Sequence, residues 1–286
     1  MPLNTRLVGK STDSFVHSVD ARWLMAYAAG IGDMNPRYLD TGAQAVVAHP
    51  MFPVCLEWPA VLAAGRLPGY ASSTAKERAR GVHAAHDVCI YRPIHAGMRL
   101  ATRATVAGIE AKAPGAVHTT RLDTVDEASG ELITRSFNIG IYRDVAIEGE
   151  PRVNDAPPPP IGAATTGGGA IWQLDVPGNA AHVYTECARI WNPIHTDRAF
   201  ALAAGLPDII LHGTATMAMA VSRLVDECLG GDPTRVRRLG GRFAAMVLMP
   251  STLTLEVTGM TDSAVFYELR NGDGQPAIRG GFIGFE

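Results

Sequence analysis

One script is written twice in this chain. Residues 148–170, EGEPRVNDAPPPPIGAATTGGGA, hold four consecutive prolines and three consecutive glycines with almost nothing to bury, which is the composition of a linker. On either side lie halves of comparable length that place similar elements in the same order. In the first, a helix is expected from Asp20 to Ile31, ended by Gly32, then the turn GDMNP, a segment to Ala48, His49-Pro50 and the apolar helix MFPVCLEWPAVLAAG. In the second, the region from His182 to Trp191 leads into NPIHTD, then His212-Gly213 and a long apolar helix. Asn35-Pro36 therefore aligns with Asn192-Pro193, and His49-Pro50 with His212-Gly213. Strand-like runs follow each central helix, with DEASGE and NGDGQ as hairpin connections. The pattern predicts an α+β fold made twice, each half one long buried helix and several antiparallel strands. Expected boundaries are 1–147, the linker 148–170, and 171–286, with central helices at about 51–65 and 214–229.

Composition narrows the partners. A net charge of −3, from 25 basic and 28 acidic residues with no block of either sign, argues against nucleic acid or an anionic membrane. Small molecules or proteins are left, and a homo-oligomer stays open. Cys55, Cys89, Cys187 and Cys228 are far apart, with no CxxC pair and no His/Cys cluster at metal-ligand spacing, so they read as buried reduced thiols and no metal is expected. The N-terminal MPLNTRLVGKSTDSF lacks the apolar core of a signal peptide, and no run approaches the roughly 18 apolar residues of a membrane span. A cytoplasmic protein that meets no membrane is expected.

The chemistry concentrates between Asn192 and Gly213. Asn-Pro forces the chain out of helical geometry, so His195 is expected on a rigid turn, presented rather than packed. Asp197 or Thr196 can cap a short helix from Arg198 to Ala204, ended by Gly205. Gly213 then opens the second central helix, whose unpaired N–H groups favour a negative oxygen, and a residue without Cβ lets a carbonyl approach closely. A histidine beside such a terminus suggests proton transfer next to a polarised carbonyl. The plainer alternative is a hydrogen-bonded loop histidine and an ordinary turn glycine.

The order of helix, GDxNPxH-like turn, short helix, HG, buried helix and antiparallel strands resembles the double-hotdog, MaoC-like family of (R)-specific enoyl-CoA hydratases and dehydratases. The resemblance spans nearly the whole chain outside the linker, and its specific part is NPIHTD with ILHG, in which His212 follows His195 by seventeen residues. It implies two hotdog halves related by pseudo-twofold symmetry, and a hydro-lyase that adds water reversibly to a 2-enoyl-CoA, with the coenzyme A thioester as substrate and no other cofactor. By the same resemblance His195 is the general base and acid, Asn192 positions the water or holds the turn, and the Gly213 N–H polarises the thioester carbonyl. Arg242 and Arg92 would approach the coenzyme phosphates.

The match is incomplete. The family aspartate falls at Ile190, while the first half keeps Asp33 and Asn35 but has Tyr38 for the histidine and Pro50, without an N–H, for the glycine. Asp33 reads better as a turn-capping carboxylate and Tyr38 as a packed aromatic. Glu186, four residues before Ile190, would lie one helical turn away and is the candidate substitute carboxylate, unless it is a solvated surface residue. Arg189 could meet a substrate carboxylate or a coenzyme phosphate, or form a surface ion pair. Two rivals remain: a degenerate hotdog that binds acyl thioesters or partners an active subunit, and a thioesterase, for which Glu57 on the first central helix is the carboxylate so placed.

Overall fold

The computed structural model describes residues 2–42, 45–70, 81–162 and 169–286. Two compact units emerge, and they do not follow the sequence halves. One comprises 1–17, 56–92 and 99–159; the other comprises 18–55, 93–98 and 160–286.

The first unit is built on a five-stranded sheet. Its strands are β2 (Phe15–Ser18), β3 (Gly81–Ile90), β4 (Arg99–Lys112), β5 (Gly115–Asp126) and β6 (Leu132–Arg143), in the order β2-β4-β5-β6-β3. β4, β5, β6 and β3 pair antiparallel in turn. The helix Pro53–Ala64 (α3) lays small residues on this sheet, Ala60 and Ala64 packing with Ala104 of β4 and Leu122 of β5. Small side chains on both surfaces let helix and sheet approach closely. A short strand β1 (Leu3–Asn4) pairs in parallel with β7 (Ile147–Glu148).

Part of the linker is structured. Arg152–Val153 forms β8 against β4, Asn154 donates its N–H to the Ala107 carbonyl, and Asp155 meets Arg121 at 2.7 Å. Residues 163–168 of the linker lie outside the described residues.

The second unit repeats the plan. β9 (Ile171–Val176), β10 (Val236–Phe243), β11 (Ser251–Met260), β12 (Ala264–Arg270) and β13 (Pro276–Phe285) form an antiparallel sheet in the order β10-β13-β12-β11-β9. The helix Gly213–Cys228 buries Met217, Val221, Leu224 and Val225, a stripe at helical spacing, and touches β12 and β13. Both central helices fall within two residues of their expected limits.

Two further helices complete this unit. α1 (Ala21–Gly30) is capped by Asp20, whose carboxylate accepts the Trp23 N–H at 2.7 Å; α4 (Ala180–Ala188) packs against it. α2 (Pro36–Leu39) lies between α1 and α3 in the chain. The short helix Arg198–Ala203 (α5), capped by Asp197, precedes the central helix, α6 (Gly213–Cys228). Among the described residues no helix is long and apolar enough to cross a membrane. The thiols are a correction to the expectation of burial, since Cys55 and Cys89 are buried but Cys187 and Cys228 only half so.

The α1–α4 contact is tight at one point. A Cβ on Gly30 would stand 2.7 Å from the Cys187 Cβ. Gly30→Ala should therefore lower stability by about 1–3 kcal/mol through overpacking, read as an earlier urea unfolding midpoint. An unchanged midpoint would show that the two helices can move apart without cost.

Candidate active site

The NPIH turn is rigid for local reasons. Asn192 caps a single 3₁₀ turn, Pro193–His195, its side-chain oxygen accepting the Ile194 N–H at 3.4 Å while its carbonyl accepts the His195 N–H at 3.1 Å. Asn192 thus holds the turn. The expectation that His195 is presented rather than packed is corrected: the residue is only 9 % exposed, because its ring lies flat on that of His212.

His195 Nδ1 stands 2.8 Å from the Ile210 carbonyl. A carbonyl can only accept, so Nδ1 carries the proton and the neutral ring presents Nε2 as a lone-pair base. Burial holds the ring's pKa down to about 4, with the Ile210 bond opposing, and no carboxylate contributes. The base is therefore unprotonated at neutral pH.

His212 is the N-cap of α6 but makes no side-chain capping bond. Among the described residues the N–H groups of Gly213, Thr214 and Ala215 have no acceptor, and the first bond of the helix is Thr216 N–H to the His212 carbonyl. Three unpaired donors at the positive end of a sixteen-residue helix favour a negative oxygen. Tyr184 donates its hydroxyl to Thr214 Oγ1 at 3.0 Å, and Thr185 Oγ1 lies 3.2 Å from His212 Nε2, so α4 pins this terminus. Gly213 has a packing reason as well: a Cβ there would come within 3.0–3.2 Å of the Phe243 ring.

Histidine base and helix terminus are thus brought together. The other candidates stand elsewhere. α4 ends at Ala188, and Arg189 turns into the left-handed region at φ 59°, so the one-turn relation between Glu186 and Ile190 does not exist. Glu186 is exposed and lines a cleft with Asp20, Arg22, Trp23 and Arg189, the last with its guanidinium 3.9 Å above the Trp23 ring. Ile190 is buried. Arg242 is exposed and without an ion pair among the described residues, and Arg92, in the other unit, is exposed and paired with Glu131. Glu57 is fully buried in that unit, bonded by the Ser136 hydroxyl and 3.8 Å from His86 Nε2. Burial pushes its carboxyl up to about 7 and holds His86 well below the ordinary range, so His86 is neutral beside it and the two form no ion pair. Among the described residues no three His, Cys, Asp or Glu side chains could share a metal.

The first copy of the motif lies in the same unit as the second, and its residues run at a constant offset of 157: Tyr27 with Tyr184, Gly32 with Arg189, Asp33 with Ile190, Asn35 with Asn192, Tyr38 with His195. Asp33 is the turn cap expected, accepting the Asn35 N–H at 2.9 Å. Tyr38 is a packed aromatic 5.5 Å from His49, as His195 packs on His212. Sequence reasoning did not anticipate that the copies meet, Tyr27 and Tyr184 in ring contact at 5.8 Å. Nor did it anticipate that Asn35 reaches α6, its amide donating to Asp226 and to the Gly231 carbonyl, both at 3.0 Å.

Comparison with known proteins accords with this geometry. A model of the MaoC like domain matches residues 179–275, and one of the FAS1-like dehydratase domain region matches residues 6–135. A solved MaoC-like dehydratase from Phytophthora capsici shares the fold over 98 % of this chain and 96 % of its own, at 20 % identity and a TM-score of 0.82. Residues 179–275 thus match the MaoC like domain, and the chain shares the double-hotdog fold of its solved neighbours. Peroxisomal enoyl-CoA hydratase 2 of Arabidopsis thaliana is 25 % identical over 71 % of this chain and 67 % of its own length. The 3-hydroxyacyl-thioester dehydratase Y of Mycobacterium tuberculosis is 25 % identical over 89 % and 87 % respectively. Higher identities, 38–46 %, come from short stretches that span 23 % or less of longer or partly aligned relatives.

The buried histidines make stability depend on acid. Burial lowers the pKa of His49, His83, His86, His118, His195 and His212 alike. Unfolded, each takes up a proton near pH 6.5, so the folded state is at full strength above about 6.5 and loses ground as pH falls toward about 4. Glu57, raised to about 7, acts in the opposite sense, but it is one group against six. The urea midpoint should be lower at about pH 5 than at about pH 7; an equal or higher midpoint would contradict the neutral assignments.

Proposed function

We propose that this chain is a hydro-lyase that adds water reversibly to a 2-enoyl thioester of coenzyme A. The observation that carries this reading is the stacking of His195, with its basic Nε2, on the residue that opens the uncapped helix α6. The names of the Arabidopsis and mycobacterial relatives support it. In the forward direction Nε2 takes a proton from water as the oxygen attacks the β carbon. The alkene electrons move to the thioester oxygen, where the Gly213 N–H and its neighbours stabilise the enolate. The proton then passes from Nε2 to the α carbon. Asn192 keeps the turn in register, and no metal or redox group takes part. Arg242, exposed and in the same unit as His195, is proposed as a contact for the coenzyme phosphates. A cytoplasmic location and a homo-oligomer are parts of the same proposal.

The missing aspartate is read as a real loss. Ile190 is apolar and buried, and Glu186 faces the α1–α4 cleft, so His195 works as the single base and acid. The rival, a degenerate thioester-binding protein, predicts binding without turnover.

Hydration of trans-2-enoyl-CoAs, followed by loss of enoyl absorbance, separates the two. His195→Ala should lower kcat by about 10²–10⁴, whereas Glu186→Gln should stay within about twofold. Binding of enoyl-CoA without turnover by the native chain would favour the rival, and a large loss on Glu186→Gln would restore that residue to the chemistry. With the base unprotonated down to about 4, kcat/KM should hold level from neutral pH to about 5 and fall only below it.

A further inference from the structure

In the proposed cycle His195 carries a positive charge between its two proton transfers, on a residue that is only 9 % exposed. An isolated buried cation is costly. The position where the first copy has Asp33 is Ile190, 6 % exposed and unable to offer a negative charge. What lies against the ring is another imidazole. His212 is 2 % exposed, its centroid 3.6 Å from that of His195 and its plane inclined by 25°. It is held there by Thr185 Oγ1, 3.2 Å from its Nε2, and by the Tyr184 ring at 4.9 Å.

Only one of two stacked rings can bear the charge. His212 is the harder to protonate, held down to about 2 by burial and by its neighbour, against about 4 for His195. Its π face therefore stays electron-rich while His195 cycles, and such a face attracts a cation stacked on it.

Resting on the hydration reading above, we propose that His212 is a positioning residue, whose neutral ring supports the imidazolium that His195 becomes on taking the water proton, in place of the carboxylate absent at Ile190. One water O–H bond breaks and one C–O bond forms; the proton borrowed by Nε2 is the one returned to the α carbon, so no further donor is required. The first copy lacks this arrangement: the ring nearest His49 is the phenol of Tyr38, 5.5 Å away and inclined by 54°.

The test is an NMR titration of the histidine rings in the full chain, with hydration kinetics beside it. His212→Phe keeps an aromatic face but discards both nitrogens and the Thr185 bond; His212→Leu discards the face. In His212→Leu the His195 midpoint should fall by about one pH unit and kcat by about tenfold with KM little changed, while His212→Phe and Thr185→Val stay near the native values. Equal behaviour of the Leu and Phe variants, or an unmoved midpoint in both, would overturn the proposal. Should the Leu variant not fold, the native chain decides: protonation of His195 should shift the His212 ring signals with the same midpoint, and independent behaviour of the two rings would count against the stack. A native chain without hydratase activity would remove the hydration reading, and the titration would still decide whether the rings are coupled.

Discussion

The site depends on one hydrogen bond, that between His195 Nδ1 and the carbonyl of Ile210. It fixes the tautomer, and the tautomer decides which nitrogen is a base. Ile210 can serve because the strand-like segment before α6 is itself anchored, Leu211 donating its N–H to the Val247 carbonyl at 2.9 Å. The same segment delivers His212 to the helix terminus. A single stretch of backbone thus sets the protonation of the base, the ring beneath it and the start of the donor array.

The chain supplies its own comparison, because the two motif copies lie side by side in one unit. Where the first reads Gly32-Asp33, the second reads Arg189-Ile190, and both Gly32 and Arg189 occupy the left-handed region, at φ 74° and 59°. Glycine does so freely; an arginine there carries strain of order 1 kcal/mol, which its stacking over Trp23 helps to offset. Both turns pass through a left-handed residue, but the next side chain is acidic in the first copy and apolar in the second. The histidine needs no carboxylate to set its tautomer, because the Ile210 carbonyl does so.

Much of the architecture was legible in the sequence. The period of apolar residues located both central helices, proline and glycine marked the turns, and Asp20 and Asp197 announced helix starts through their capping bonds. The pairing of His195 with the start of α6 was legible from NPIH and HG. What failed was anything requiring the path of the chain after a helix end. Glu186 was assigned by helical spacing, and the left-handed turn at Arg189 breaks that spacing; no residue type at 189 warns of it. Burial of His195 was hidden because it comes from a partner seventeen positions later, and the division into units that cut across the halves depends on long-range packing that no local pattern encodes.

Asn35 shows what a retained motif residue can be for. Both its amide hydrogens are spent on the far end of α6, and Arg37 beside it meets Asp232 at 3.3 Å. The helix whose first turn faces the histidine is therefore moored at its last turn by the copy that lacks one. A reader matching signatures would count GDMNP as the remnant of a second reaction centre. It is better regarded as a foundation, whose asparagine would have to persist even in a lineage that had never used that copy for chemistry.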